Sequence, residues 1–163
     1  MTEAQQTSVV VERTYRATLV EVWALWTTKD GFGSWWGPEG FRVEVHALEA
    51  RAGGALEYDM IADAPEAIAA MKQAGFAPSH ATHGHFAEFR PMERLSLVHV
   101  IDFLPDVAPY ETTIEVAFQP LGDHVRMVVT LHPHRDPQWT KASAAGFASQ
   151  IGKLDRRFGV AAR

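Results

Sequence analysis

The run Trp35-Trp36-Gly37-Pro38-Glu39-Gly40-Phe41 constrains the fold of this chain more than any other stretch. Two adjacent indoles are costly to leave in water, because each carries a large apolar surface. The residues after them force a reversal: Pro38 lacks a backbone donor and disfavours helical geometry at Gly37. The pair therefore stands where a helical segment hands over to a strand. Such a junction is either packed core or the wall of a cavity.

The flanking patterns agree with that placement. Residues 9–16 are rich in β-branched side chains and predict a first strand. Thr18 and Glu21 have the spacing of a capping box, and Leu19, Val22, Trp23 and Trp26 follow at helical intervals. A second short helical stretch runs up to Trp35, loosened by Gly31 and Gly33. Past the break, strands are predicted over 41–50 and 55–61, with Gly53-Gly54 as the hairpin signal.

Segment 62–79 interrupts the strand pattern. Asp63-Ala64-Pro65-Glu66 opens a helix, with proline in its first turn, and Gly75 closes it. Ile68, Met71 and Phe76 give this insertion one apolar side, so it is a candidate lid. Strands resume over 83–90, 95–103, 111–120 and 124–132. Leu95, Leu97, His99, Ile101 and Phe103 alternate onto one face. Asp136-Pro137 then opens a long helix whose apolar stripe is Phe147, Ile151, Leu154 and Phe158.

Successive strands without crossover helices imply an antiparallel sheet. Its buried face needs a cover, and the C-terminal helix is the element long enough to supply one. The expected fold is α+β: a curved antiparallel sheet of about seven strands around that helix, with two short helices after the first strand. A length of 163 residues suits one domain, placed at 9–160 after a flexible N-terminus at 1–8.

Arg13-Thr14-Tyr15, Val22-Trp23, Trp35-Trp36-Gly37-Pro38 with Gly40-Phe41, Arg51-Ala52-Gly53-Gly54, Pro91-Met92-Glu93-Arg94-Leu95 and Gly146-Phe147 with Leu154 occur in a telling order. With these motifs the chain resembles the heat-shock protein 90 ATPase activator homologues of the START/birch-pollen-allergen-like (SRPBCC) superfamily. The resemblance implies a helix-grip fold around a hydrophobic cavity. It departs from the family pattern at Thr18, Ala52 and Phe147, and in the length of segment 62–79. Members resemble co-chaperones, small-molecule binders or cyclases, so the fold alone does not choose a function.

The candidate pocket lining comprises Trp35, Trp36, Tyr58, Met60, His85, His99, Phe103, Met127 and Phe147. Tyr58 and Met60 share a strand face with Leu56, offering a polar tip and an adaptable thioether. His99 lies on an apolar face, either as a hydrogen-bonded core residue or as a polar anchor in the cavity. His80, His83 and His85 invite a metal reading, but no carboxylate or cysteine stands at a recognised spacing, so no metal site is assigned. His132 and His134 are expected to face solvent.

The leading expectation is binding of a small hydrophobic or amphipathic molecule, with no cofactor. A co-chaperone-like module acting on a heat-shock protein 90 ATPase is one alternative, although one domain leaves no room for a separate docking domain. A cyclase or dehydratase using His99 or His85 is another; catalysis has no signal beyond isolated histidines. A net charge of −5 argues against nucleic acid and anionic membrane as partners. No apolar run reaches the roughly 20 residues of a membrane span, and the first residues lack a signal-peptide pattern, so a cytoplasmic protein is expected. A homodimer is left open.

Overall fold

A computed structural model describes residues 8–102 and 106–160. The N-terminal segment 1–7 and the candidate Phe103 lie outside the described residues. Within them, β1 (Val9–Tyr15), α1 (Leu19–Thr27), α2 (Lys29–Gly33), β2 (Phe41–Leu48), β3 (Ala55–Ala62) and α3 (Pro65–Gln73) come first. Then follow β4 (Ser79–Arg90), β5 (Arg94–Ile101), β6 (Tyr110–Leu121), β7 (His124–Leu131) and α4 (Pro137–Arg157). The strands make one antiparallel sheet in the order β1-β7-β6-β5-β4-β3-β2, curled into a half-barrel. This is the helix-grip arrangement that the sequence leads one to expect.

Local chemistry accounts for the boundaries. The Thr18 hydroxyl accepts from the Glu21 N–H at 3.1 Å while the Glu21 carboxylate accepts from the Thr18 N–H at 3.0 Å. Two of the N–H groups orphaned at the start of α1 are thereby satisfied. Gly37 and Gly40 have φ of 101° and 88°, so the turn after the tryptophans needs glycine twice. One strand starts earlier than the sequence indicates. β4 begins at Ser79 because β3 runs on to Ala62 and requires a partner, which brings His80 opposite Met60.

Trp26, Trp35 and Trp36 form the centre of the core, their rings meeting edge to face at 5.1–5.5 Å. The Trp26 indole N–H points at the Met127 sulfur (3.3 Å) and the Trp35 N–H donates to the Leu25 carbonyl (2.9 Å). Phe147, Ile151 and Leu154 of α4 are buried against this cluster and the inward residues of the strands. The helix is held at both sides of the grip. On β1, the Asp155 carboxylate accepts from the Tyr15 hydroxyl (2.7 Å) and from Arg13 Nε (3.0 Å). At the glycine turn, Gln150 Oε1 and Ser149 Oγ accept from the N–H groups of Gly37 (3.0 Å) and Glu39 (2.9 Å).

Candidate functional site

Two layers of side chains stack inside the open end of the half-barrel. The lower layer is polar at its centre yet fully enclosed. Trp36 Nε1 donates to the Tyr58 hydroxyl at 3.0 Å, and that hydroxyl lies 3.0 Å from His99 Nε2. A phenol that accepts from an indole has its own proton left to give. Thr82 also hydrogen-bonds this hydroxyl, so one buried oxygen joins Trp36, His99 and Thr82. Burial, with smaller contributions from His134 and His83, pushes the His99 pKa down to about 4, so the ring is neutral near pH 7. Burial likewise raises the Tyr58 pKa.

Above this layer lies a pocket of about 370 Å³. Strand alternation explains why it sits there. Met60 follows Tyr58 on the inner face of β3, and His80 precedes Thr82 on the inner face of β4; Met60 and His80 are wall residues of the pocket, whereas Tyr58 and Thr82 are buried. Pro38 and Phe41 close one side, and Trp139, Ala142 and Ser143 from the first turns of α4 close another.

The roof comes from the insertion, through its C-terminal cap. Gly75, with φ of 83°, ends α3; Phe76 N–H donates to the Met71 carbonyl (2.8 Å) and Gly75 N–H to that of Lys72 (3.1 Å). This is a Schellman motif, which commonly brings together the side chains at the two ends of its longer bond. Here these are Met71 and Phe76, and both line the pocket. The base of the insertion is fixed to the glycine turn, since the Asp63 and Ala64 N–H groups both donate to the Gly40 carbonyl (2.9 and 3.1 Å).

His134 supplies the last wall. It does not turn to solvent as its position after β7 led us to expect. Its N–H donates to Thr140 Oγ1 (2.8 Å), and its ring Nδ1 lies 2.7 Å from the Tyr110 hydroxyl. These bonds draw the segment after Pro133 onto the start of α4. Burial lowers the pKa of both His80 and His134, so the pocket presents neutral imidazoles and the Ser143 hydroxyl within a mainly apolar wall.

Of the candidates drawn from the sequence, Met60 lines this pocket. Trp35, Trp36, Tyr58, His99, Met127 and Phe147 are brought together, but as the packed layer underneath. His85 lies on the outer face of β4 with His83, opposite Val98, whereas Thr82 and Phe86 point inward. His80 is on the inner face, so the three neighbouring histidines do not converge. Among the described residues no group of three or more histidines and carboxylates is placed to hold a metal ion. Nor is any described helix long and apolar enough to cross a membrane.

Comparisons agree with this architecture. A Chromobacterium violaceum protein of known structure is 20% identical, with a TM-score of 0.69 over 93% of this chain and 96% of its own. An Arthrobacter aurescens protein gives 19% identity and a TM-score of 0.72, covering 96% and 88% of the two chains. The AHSA1 protein of Silicibacter pomeroyi gives 17% and 0.71, covering 94% and 99%. At these identities the likeness is one of fold. No curated protein matches the chain in sequence. The family described as Activator of Hsp90 ATPase homolog 1-like protein matches residues 16–159, nearly the whole fold including the insertion and the gripped helix. The chain belongs to that family.

Proposed function

We propose that this protein binds a small hydrophobic or amphipathic molecule in the pocket between α3, α4 and the ends of β3 and β4. The observation that carries the reading is the contrast between the two layers. The lower layer is packed and its polar centre is internally hydrogen-bonded, while the layer above leaves a space of about 370 Å³ walled by Phe41, Met60, Met71, Phe76 and Trp139. Apolar walls with a few polar groups are the usual composition of a small-molecule site. Two of the wall residues are methionines, whose flexible thioethers adapt to different ligand shapes.

The insertion also fits this role. α3 buries none of its residues, so it is held by its two ends and by whatever lies beneath it. A helix so weakly packed is drawn from the low-stability part of a fold, where ligand-gating elements are found. The test is saturation binding of the neutral fluorescent probe N-phenyl-1-naphthylamine. The wild type is expected to bind one equivalent, and Ser143→Trp, which fills the pocket from α4, is expected to lose that binding while unfolding at the same urea concentration. Equal affinity in the two proteins would place the probe elsewhere and remove the assignment.

A further inference from the structure

His134 brings to the pocket a ring nitrogen that no described residue uses. Its Nδ1 lies 2.7 Å from the Tyr110 hydroxyl, and the two rings meet edge to face at 5.7 Å. His134 is a wall residue of the pocket, whereas Tyr110 is not. The edge of the imidazole turned to the pocket is therefore the one that carries Nε2. Among the described residues this nitrogen has no hydrogen-bond partner, and it is not sealed away; the sealed side-chain atom left unpaired is Gln150 Nε2.

The ring is held in place before anything binds. The His134 N–H donates to Thr140 Oγ1 (2.8 Å), and Arg135 lies over the Tyr110 ring at 4.9 Å from its centre. Fixing backbone and ring together lowers the entropy lost when a ligand is captured. Tyr110 also leaves the chemistry of Nε2 adaptable. A hydroxyl either gives a proton to Nδ1 or takes one from it, so Nε2 can accept or donate.

The rest of the wall selects the charge of the head group. It comprises apolar side chains, His80, His134 and Ser143, with no carboxylate, ammonium or guanidinium among them. Burial lowers the pKa of both histidines, which leaves them uncharged at neutral pH. An ionic head group would lose its hydration and meet no counter-charge. A neutral hydroxyl loses less, and it both gives and takes a hydrogen bond, which suits Nε2 in either tautomer.

Resting on the pocket reading above, we infer that His134 Nε2 is the hydrogen-bonding anchor of this pocket, and that the ligand is a neutral alcohol or phenol with an apolar body. The body occupies the space under Met71 and Phe76, and the hydroxyl reaches Nε2.

Two probes of nearly equal shape test this: 2-naphthol, and 2-methylnaphthalene, in which a methyl replaces the hydroxyl. Affinities are measured by calorimetry for the wild type and His134→Phe, and the imidazole nitrogens are followed in nitrogen-15 spectra. The ratio of naphthol to methylnaphthalene affinity is expected to be about tenfold higher in the wild type, the worth of one hydrogen bond. Taking the ratio removes the greater apolarity of the methyl compound, which acts on both proteins alike. Naphthol alone should shift the His134 Nε2 resonance; if the variant does not fold, that shift decides. An unchanged ratio or an unmoved Nε2 would overturn the anchor while leaving the pocket standing. Binding of neither probe would overturn both.

Discussion

The Trp36 indole and the Tyr58 hydroxyl meet at 3.0 Å, and through this contact the turn after α2 is joined to the inner face of β3. Tyr58 passes the connection on to His99 of β5. Replacing Tyr58 with Phe keeps the ring and its packing but strands the Trp36 N–H and the His99 Nε2 together. Each unsatisfied buried group costs about 1–3 kcal/mol, so Tyr58→Phe should destabilise the protein by about 2–4 kcal/mol. Urea unfolding measures this directly. A loss under about 0.5 kcal/mol would mean that the three groups are satisfied in some other way.

The same network predicts a pH dependence. His99 has a folded pKa near 4, below the ordinary histidine value of 6.5. Between these values the unfolded chain binds the proton and the folded chain does not. Stability from this residue is therefore complete above about pH 6.5, falls as the pH drops, and stops falling below about pH 4. From about pH 7 to about pH 5 the loss should be on the order of 2 kcal/mol. His99→Gln retains a hydrogen-bonding group for Tyr58 but does not titrate, so its unfolding free energy should change less over that interval. Parallel pH profiles for the two proteins would count against the neutral buried imidazole.

How much of this could be read from the sequence depends on the distance over which each feature is determined. Strand alternation and capping are local, so the capping box of Thr18 and Glu21 and the inward face of Leu95, Leu97 and His99 were legible. The depth of a residue is not local. Tyr58 and Met60 share one face two residues apart, yet one is sealed and the other lines the pocket. What divides them is that Trp36 and its neighbours, contributed from outside the sheet, fill the lower layer. His85 shows a different failure. It shares the outer face of β4 with His83, because Thr82 and Phe86 take the inner positions. The roof was partly visible, since Gly75 implies the cap that brings Met71 and Phe76 together. Gln150 carried no signal, because a glutamine within a long helix reads as a surface residue.

Asp155 ties the far end of α4 to β1, and its loss should be felt throughout the fold. Its carboxylate accepts from both Tyr15 and Arg13, and the Tyr15 ring also packs on Phe158 at 4.8 Å. Burial, together with the hydrogen bond to Asp155, raises the Tyr15 pKa, so the hydroxyl remains a donor at ordinary pH. In Asp155→Ala that buried hydroxyl has lost its acceptor, and the Arg13 charge has lost its partner. A destabilisation of about 2–4 kcal/mol is expected. Asp155→Asn, which keeps a carbonyl acceptor for Tyr15, should recover part of it. Equal losses in the two variants would assign the effect to the charge on Asp155 alone.

Phe76 distinguishes the roof of the pocket from the core beneath it. Its ring is half-buried and belongs to the pocket wall, and it is not a member of the buried aromatic cluster. Shortening it to alanine removes apolar surface from the roof without opening the packed layer, and the backbone bonds of the cap at Met71 and Gly75 do not need the ring. Phe76→Ala should therefore leave the unfolding free energy within about 0.5 kcal/mol of the wild type. Its affinity for N-phenyl-1-naphthylamine should fall about tenfold, equivalent to about 1.4 kcal/mol of lost contact. The Trp36→Phe variant should behave in the opposite way: it breaks the bond to Tyr58 below the pocket, so stability falls first. If instead both variants lost stability and affinity in the same proportion, the roof and the core would be one cooperative unit, and α3 could not act as a separate cover.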